Sequence, residues 1–172
     1  MDRSKWIWPK REYGADEYAE FHDTVNHCGG KISIKISCDS NYAVYIDEKL
    51  VAFGQYADYP WYKVYDTIDL TESVRLGKNN VKIIVWYYGE NFSTYYKNRP
   101  GLWYEICENS KLIRWSSKET LCGKSENYKN GYRKIITGSV ESHRNRGYRA
   151  GFAPLSRFEI ELRTLNKGKI DQ

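Results

Sequence analysis

The sequence predicts an all-β fold, an antiparallel, jelly-roll-like β-sandwich, and three observations carry the prediction. Short runs rich in β-branched and aromatic residues, several alternating apolar with polar, recur from residue 20 to residue 122. Clusters of Asp, Asn, Ser and Gly punctuate them at close spacing. Helix signals are almost absent. Eight or more short strands fit two packed sheets better than any helical or doubly wound arrangement.

Residues 20–25 open the series. Residues 31–38 alternate without error, with Ile32, Ile34, Ile36 and Cys38 on one face and Lys or Ser on the other, which is a strand with one wet face. Asp39-Ser40-Asn41 turns the chain into residues 42–46. Asp47-Glu48 is a two-residue hairpin turn, and residues 49–54 return. Residues 64–70 form the next run. Thr71 then caps a helix of about a turn and a half that Gly77 ends. In residues 81–88, Val81, Ile83 and Val85 share a face while Ile84 and Trp86 make the other face apolar too, so this strand is central. Residues 101–107 and 112–115 pair across the turn 108–111, with weaker strands at 120–122 and 158–162. A sandwich built this way brings both chain ends near one sheet. The expected organisation is an N-terminal arm over 1–12, a single sandwich domain over 13–165 and a C-terminal tail over 166–172.

Composition narrows the function. Sixteen Tyr and six Trp stand against one Met. The longest apolar run, residues 83–88, is far short of the roughly 20 needed to cross a bilayer, so no membrane association is expected. No apolar stretch follows the first residues, so no export signal is expected, the location is read as cytoplasmic, and Cys28, Cys38, Cys107 and Cys122 are read as reduced thiols. Cys38 and Cys107, at strand ends, suit small core positions. Residues 1–128 carry 17 Lys/Arg against 18 Asp/Glu, whereas 129–172 carry 10 against 4. The positive balance of +5 therefore sits in the last quarter, around segment 133–149. Such a segment attracts phosphate or anionic polysaccharide, but without a nucleic-acid motif its plainer reading is a solvated loop.

Few residues point to chemistry. His22, His27 and His143 lack metal-ligand spacing, Gly29-Gly30 precedes a strand and not a phosphate-binding helix, and no nucleophile elbow occurs. Asp66 and Asp69 flank a strand and read as turn and cap residues. The alternative for them is a structural calcium ion, since carboxylates on sandwich loops supply hard oxygen ligands. No other cofactor is expected. The aromatics are the strongest clue. They gather in two loop-like stretches, 55–62 and 87–100, each following a strand and so placed at a rim of the sandwich. Tyr and Trp offer flat apolar faces with a polar edge, which suits the C–H faces of sugar rings as well as protein interfaces. Asn91-Phe92-Ser93 also fits a glycosylation sequon.

Several strings resemble the N-terminal β-sandwich, galactose-binding-like domain of bacterial α-L-rhamnosidases. They are Lys5-Trp6-Ile7-Trp8-Pro9, residues 36–46, residues 50–55, and, most closely, Tyr65-Asp66-Thr67-Ile68-Asp69-Leu70-Thr71, with Leu76-Gly77-Lys78-Asn79-Asn80-Val81 and Tyr88-Gly89 behind it. The likeness spans residues 5–125. It departs at Asp47-Glu48, where the family places Asn-Gly; Glu at positive φ costs about 1 kcal/mol, which predicts a longer turn here. The resemblance implies a sandwich that accompanies catalysis without performing it, because in these enzymes the acid and base belong to a separate helical barrel. It implies no catalytic residue in this chain. The expected partners are carbohydrate or a glycoside hydrolase catalytic domain. The residues expected to contact sugar are Trp61, Tyr88, Tyr95, Tyr96 and Trp103, with Arg99 donating to hydroxyls. The other readings are a protein-interaction module with no small ligand, betrayed by one flat apolar patch instead of a cleft, and an anionic-polymer binder acting through 133–149.

Overall fold

The computed structural model describes residues 3–9, 12–55, 58–125, 128 and 166–169 of the 172. The basic segment 133–149 and the strand expected at 158–162 lie outside the described residues. Among the described residues, ten strands form two five-stranded antiparallel sheets packed face to face. They are β1 (Glu17–His27), β2 (Ile32–Asp39), β3 (Asn41–Ile46), β4 (Lys49–Gly54), β5 (Val64–Asp69), β6 (Gly77–Tyr87), β7 (Gly101–Glu108), β8 (Lys111–Trp115), β9 (Leu121–Lys124) and β10 (Asn166–Lys169). The first sheet runs β4-β3-β6-β1-β9 and the second β10-β5-β2-β7-β8. β6 is central, as its two apolar faces require.

The inner faces supply Phe21, Ile34, Ile36, Tyr42, Val44, Ile83, Val85, Leu102, Tyr104 and Ile106 to the main core. The outer face of the first sheet is also apolar: Tyr18, Ala43, Ile84 and Trp86 join Tyr88 and Tyr95 in a second cluster, and Tyr128 stacks on Tyr18 at 4.8 Å. Both chain ends reach the second sheet. Ile7 bridges Leu102 of β7, so the expected N-terminal arm is pinned to the sheet. Residues 166–169, expected as a tail, are instead the edge strand β10 on β5.

Four local expectations change. The Asp47-Glu48 turn has the two residues that the strand pattern gives it and is not lengthened as the departure from Asn-Gly predicts: both residues adopt positive φ, 45° and 65°. Tertiary contacts offset the conformational cost. Asp47 accepts the Asn80 amide at 2.9 Å, Arg75 pairs with Asp47, and Lys82 pairs with Glu48. The Glu48 pair is solvent-exposed and contributes little. Glu48→Gly is therefore expected to stabilise the chain by about 0.5–1 kcal/mol, seen as a rise in Tm of roughly 1–4 °C.

The expected helix after Thr71 shrinks to a 3-10 turn, Thr71–Ser73. Thr71 Oγ1 accepts the Ile32 amide, and Asp69 accepts the Thr71 amide at 2.8 Å; the Thr71 side chain and then its amide hold the Asp69 carboxyl below its usual range. Asp69 thus has its turn role, but Asp66 is buried within β5 and accepts the Tyr42 hydroxyl at 2.8 Å. Cys38 lies in the core, whereas Cys107 faces outward on β7, next to an irregularity in its pairing with β8. The four thiols are unpaired.

Candidate functional site: an exposed aromatic platform on a buried charged anchor

The loop after β4 and the loop after β6 meet at one end of the sandwich, beside the point where Ser40 carries the chain from β2 in one sheet to β3 in the other. The Asp39–Ser40 peptide there is cis.

In the first loop, Tyr59-Pro60-Trp61-Tyr62 forms a turn closed by the Tyr62 amide donating to the Tyr59 carbonyl at 2.9 Å. Proline suits the second position because its φ is preset. The turn stacks Tyr59 on Trp61, centroids 5.1 Å apart and planes 19° apart. Its base is rigid. Asp58 accepts hydrogen bonds from Gln55 Nε2 at 3.1 Å and the Val64 amide at 3.2 Å, while Gln55 Oε1 accepts the Cys38 amide at 2.6 Å.

In the second loop, Phe92 and Tyr95 exchange backbone hydrogen bonds across Ser93-Thr94, and Asn91 accepts the Lys97 amide at 2.8 Å. Successive residues of such an extended leg point opposite ways. Tyr95 therefore turns inward, 2% exposed, and Tyr96 outward, 51% exposed. Tyr96 lies 5.7 Å from Trp61 and 5.8 Å from Tyr59. The outcome is a three-ring platform in which Trp61 is 69% and Tyr59 51% exposed, with exposed Tyr62 in the same turn.

Beneath it lies Asp39, shared by both loops. The Tyr95 hydroxyl donates to Asp39, Ser40 Oγ donates at 3.1 Å, and Lys63 Nζ stands 3.7 Å away. Lys63, only 2% exposed, also pairs with Asp58 at 2.6 Å, donates to the Cys38 carbonyl at 3.1 Å, and sits 5.3 Å over the Trp6 ring. Trp6 is held by its own Nε1 donating to the Pro100 carbonyl, against Gly101, where any β-carbon would fall 1.8 Å from that nitrogen. Burial pushes the Asp39 carboxyl above the usual range, against the opposing pull of Lys63, Tyr95 and Ser40. The same burial, with Asp39 beside it, raises the Tyr95 phenol, so Tyr95 stays a donor.

Two of the six expected sugar-contact residues, Trp61 and Tyr96, stand together on the platform. Tyr95 and Tyr88 do not form a rim: both are buried, Tyr95 because its hydroxyl serves Asp39, and Tyr88 because it packs edge-on to Trp86 and Tyr95. Trp103 is half-buried on the outer face of β7, where its ring partner is Tyr65. Arg99 is exposed on the second loop. The sequence reading missed Tyr59 as a platform member, and Lys63 and Asp39 as its anchor. The alternation of Tyr95 and Tyr96 was the available signal for which ring points out. Lys63 carried none, because a buried lysine and a solvated one read alike without their partners.

No protein-family model matches the chain, and no curated protein matches it. Solved structures do. A GH78 family rhamnosidase of Bacillus sp. GL1 is similar at 22% identity with a TM-score of 0.66, over 71% of this chain and 13% of that one. An α-L-rhamnosidase from Aspergillus terreus is similar at 14% identity and 0.57, over 72% and 17%. An α-L-rhamnosidase from Streptomyces avermitilis, in complex with L-rhamnose, is similar at 20% identity and 0.53, over 80% and 14%. The chain thus spans less than a fifth of these enzymes. Its architecture is a β-sandwich of the kind found as one portion of α-L-rhamnosidases.

Proposed function

We propose that this chain is a non-catalytic, carbohydrate-associated sandwich whose Tyr59–Trp61–Tyr96 platform receives a sugar ring. The observation that carries the reading is the platform itself: three mutually contacting rings held open to solvent over a fully engaged charged anchor. Rings left at the surface forgo burial that a core position would give them. The anchor explains how the fold keeps them there.

Size separates the sugar reading from protein docking. At roughly 150–250 Å² per aromatic side chain, Tyr59, Trp61, Tyr62 and Tyr96 at their observed exposures offer on the order of 400–500 Å². A stable protein interface takes about 800 Å² per partner. The patch suits a ligand of one or two rings. Docking on a glycoside hydrolase domain is the second reading, favoured by the small share of each rhamnosidase that the chain spans. The platform's rings are inclined to one another by 19–56° and open to solvent, so a stacked sugar leaves much of its surface wet and binds weakly. A Kd near 1 mM, about −4 kcal/mol, is expected.

Calorimetric titration with rhamnose-containing oligosaccharides tests the reading. Saturable heat at millimolar ligand supports it, and no heat up to tens of millimolar removes it. Glycoside cleavage by the purified chain would remove the non-catalytic part.

A further inference from the structure

Away from the platform, β1 has an edge that its neighbour does not cover. β9 is four residues long and pairs with Ala19–His22 only. Among the described residues, no strand pairs with Asp23–His27 on that side. The hydrogen-bonding groups on this edge follow from the register. Ser125 donates to the Tyr18 carbonyl, so the even-numbered residues of β1 direct their amides and carbonyls towards β9. Past His22 these belong to Thr24 and to Asn26, whose carbonyl accepts the weak Cys28 thiol donor at 3.8 Å.

Side chains occupy Thr24 where a strand would. Its amide donates to Asp23 Oδ1 at 2.7 Å, and its carbonyl accepts Arg114 Nε from β8 at 2.8 Å. Asp23 and Arg114 pair with each other at 3.4 Å, and Asp23 Oδ2 is held by the Tyr104 hydroxyl at 2.8 Å. One carboxylate and one guanidinium thus supply the acceptor and donor of a missing strand residue. The edge runs between two open grooves of about 610 and 420 Å³ that share Thr24 and Arg114.

We propose that the Asp23–Arg114 pair is a plug on an adhesive strand edge, and that the edge beneath it is self-complementary. Without the plug, Thr24 and Asn26 present alternating donors and acceptors that the same edge of a second copy satisfies when it runs antiparallel, a closed two-fold contact. The plug keeps copies of this chain apart while leaving the platform end free. It does not depend on what the platform binds. Arg114 is half-exposed and its pair with Asp23 is screened by salt, so the plug loosens as ionic strength rises.

The test is sedimentation of the full chain across a hundredfold concentration range, for the parent, Arg114→Ala and Arg114→Ala with Asp23→Ala. Arg114→Ala frees the Thr24 carbonyl and is expected to tighten self-association at least tenfold; the double variant tightens it further. Should the double variant fail to fold, Arg114→Ala alone decides the matter. Thr24→Pro added to Arg114→Ala removes the edge amide without touching the β1–β6 ladder, and must return the parent's behaviour. Parent-like association in Arg114→Ala overturns the proposal. So does association that survives Thr24→Pro, which would place the contact elsewhere.

Discussion

Lys63→Met is expected to cost about 3–5 kcal/mol, a fall in Tm of roughly 6–20 °C. Methionine fills much of the same volume, so the loss is electrostatic. It leaves two buried carboxylates, Asp39 and Asp58, facing a site from which their shared cation has gone. It also removes the donor to the Cys38 carbonyl and the cation over Trp6. The pH dependence identifies the cause. Asp39 is already raised by burial with Lys63 in place. Without Lys63 its folded pKa climbs further above the unfolded value of about 3.9. An acid raised on folding destabilises the native state above its folded pKa and ceases to do so below its unfolded pKa. The deficit of the variant, relative to the parent, should therefore shrink as pH falls from 7 towards 4. Chemical denaturation at a series of pH values reads this directly. A deficit that is constant with pH would mean that packing, not charge, is what Lys63 supplies.

Trp61→Ala is expected to do the reverse: abolish ligand binding and leave stability within about 0.5 kcal/mol of the parent. Trp61 is the most exposed ring of the platform and contacts only Tyr59 and Tyr96 among the aromatic pairs. Its removal strips the largest flat face from a site expected to bind at about −4 kcal/mol, so a loss of even 1.4 kcal/mol, tenfold, would take the affinity out of measurable range. Trp61→Phe should keep part of the binding, and Tyr59→Ala should lose an intermediate amount because Tyr59 supports the indole from behind. Calorimetry with thermal unfolding of the same samples checks both halves. A Trp61→Ala protein that unfolds several degrees early would show that the ring serves the fold and is no free platform.

The sandwich was legible in the sequence because its strands obey period two. The alternation at residues 31–38 became β2, and the two apolar faces of residues 81–88 put β6 at the centre of its sheet. The start of β6 was not legible. Gly77-Lys78-Asn79-Asn80 reads as turn material, yet pairing with β1 draws it into the ladder, and Asn79 closes the preceding turn by hydrogen bonds to Arg75 and Gly77. The two-residue turn at Asp47-Glu48 was legible, but not that it would hold Glu without lengthening: contacts from Asn80, Arg75 and Lys82 lie outside any local window. At the candidate site, the two aromatic loops were legible from composition, but not which rings they bury. That choice is made by Asp39, which draws Tyr95 inward from one loop and Lys63 from the other. Burial of a charge is a tertiary fact. Asp39 in a turn sequence and Lys63 beside an aromatic run look solvated until both loops close over them.

The most direct test of the platform is a ¹H–¹⁵N spectrum recorded while a rhamnose-containing oligosaccharide is added. The chain's six tryptophans give six indole signals. The platform account predicts that the Trp61 indole moves progressively and saturates in the millimolar range, while the indoles of Trp6 and Trp86, buried or bonded within the fold, stay in place. A titration in which Trp61 is silent while another indole shifts would contradict it.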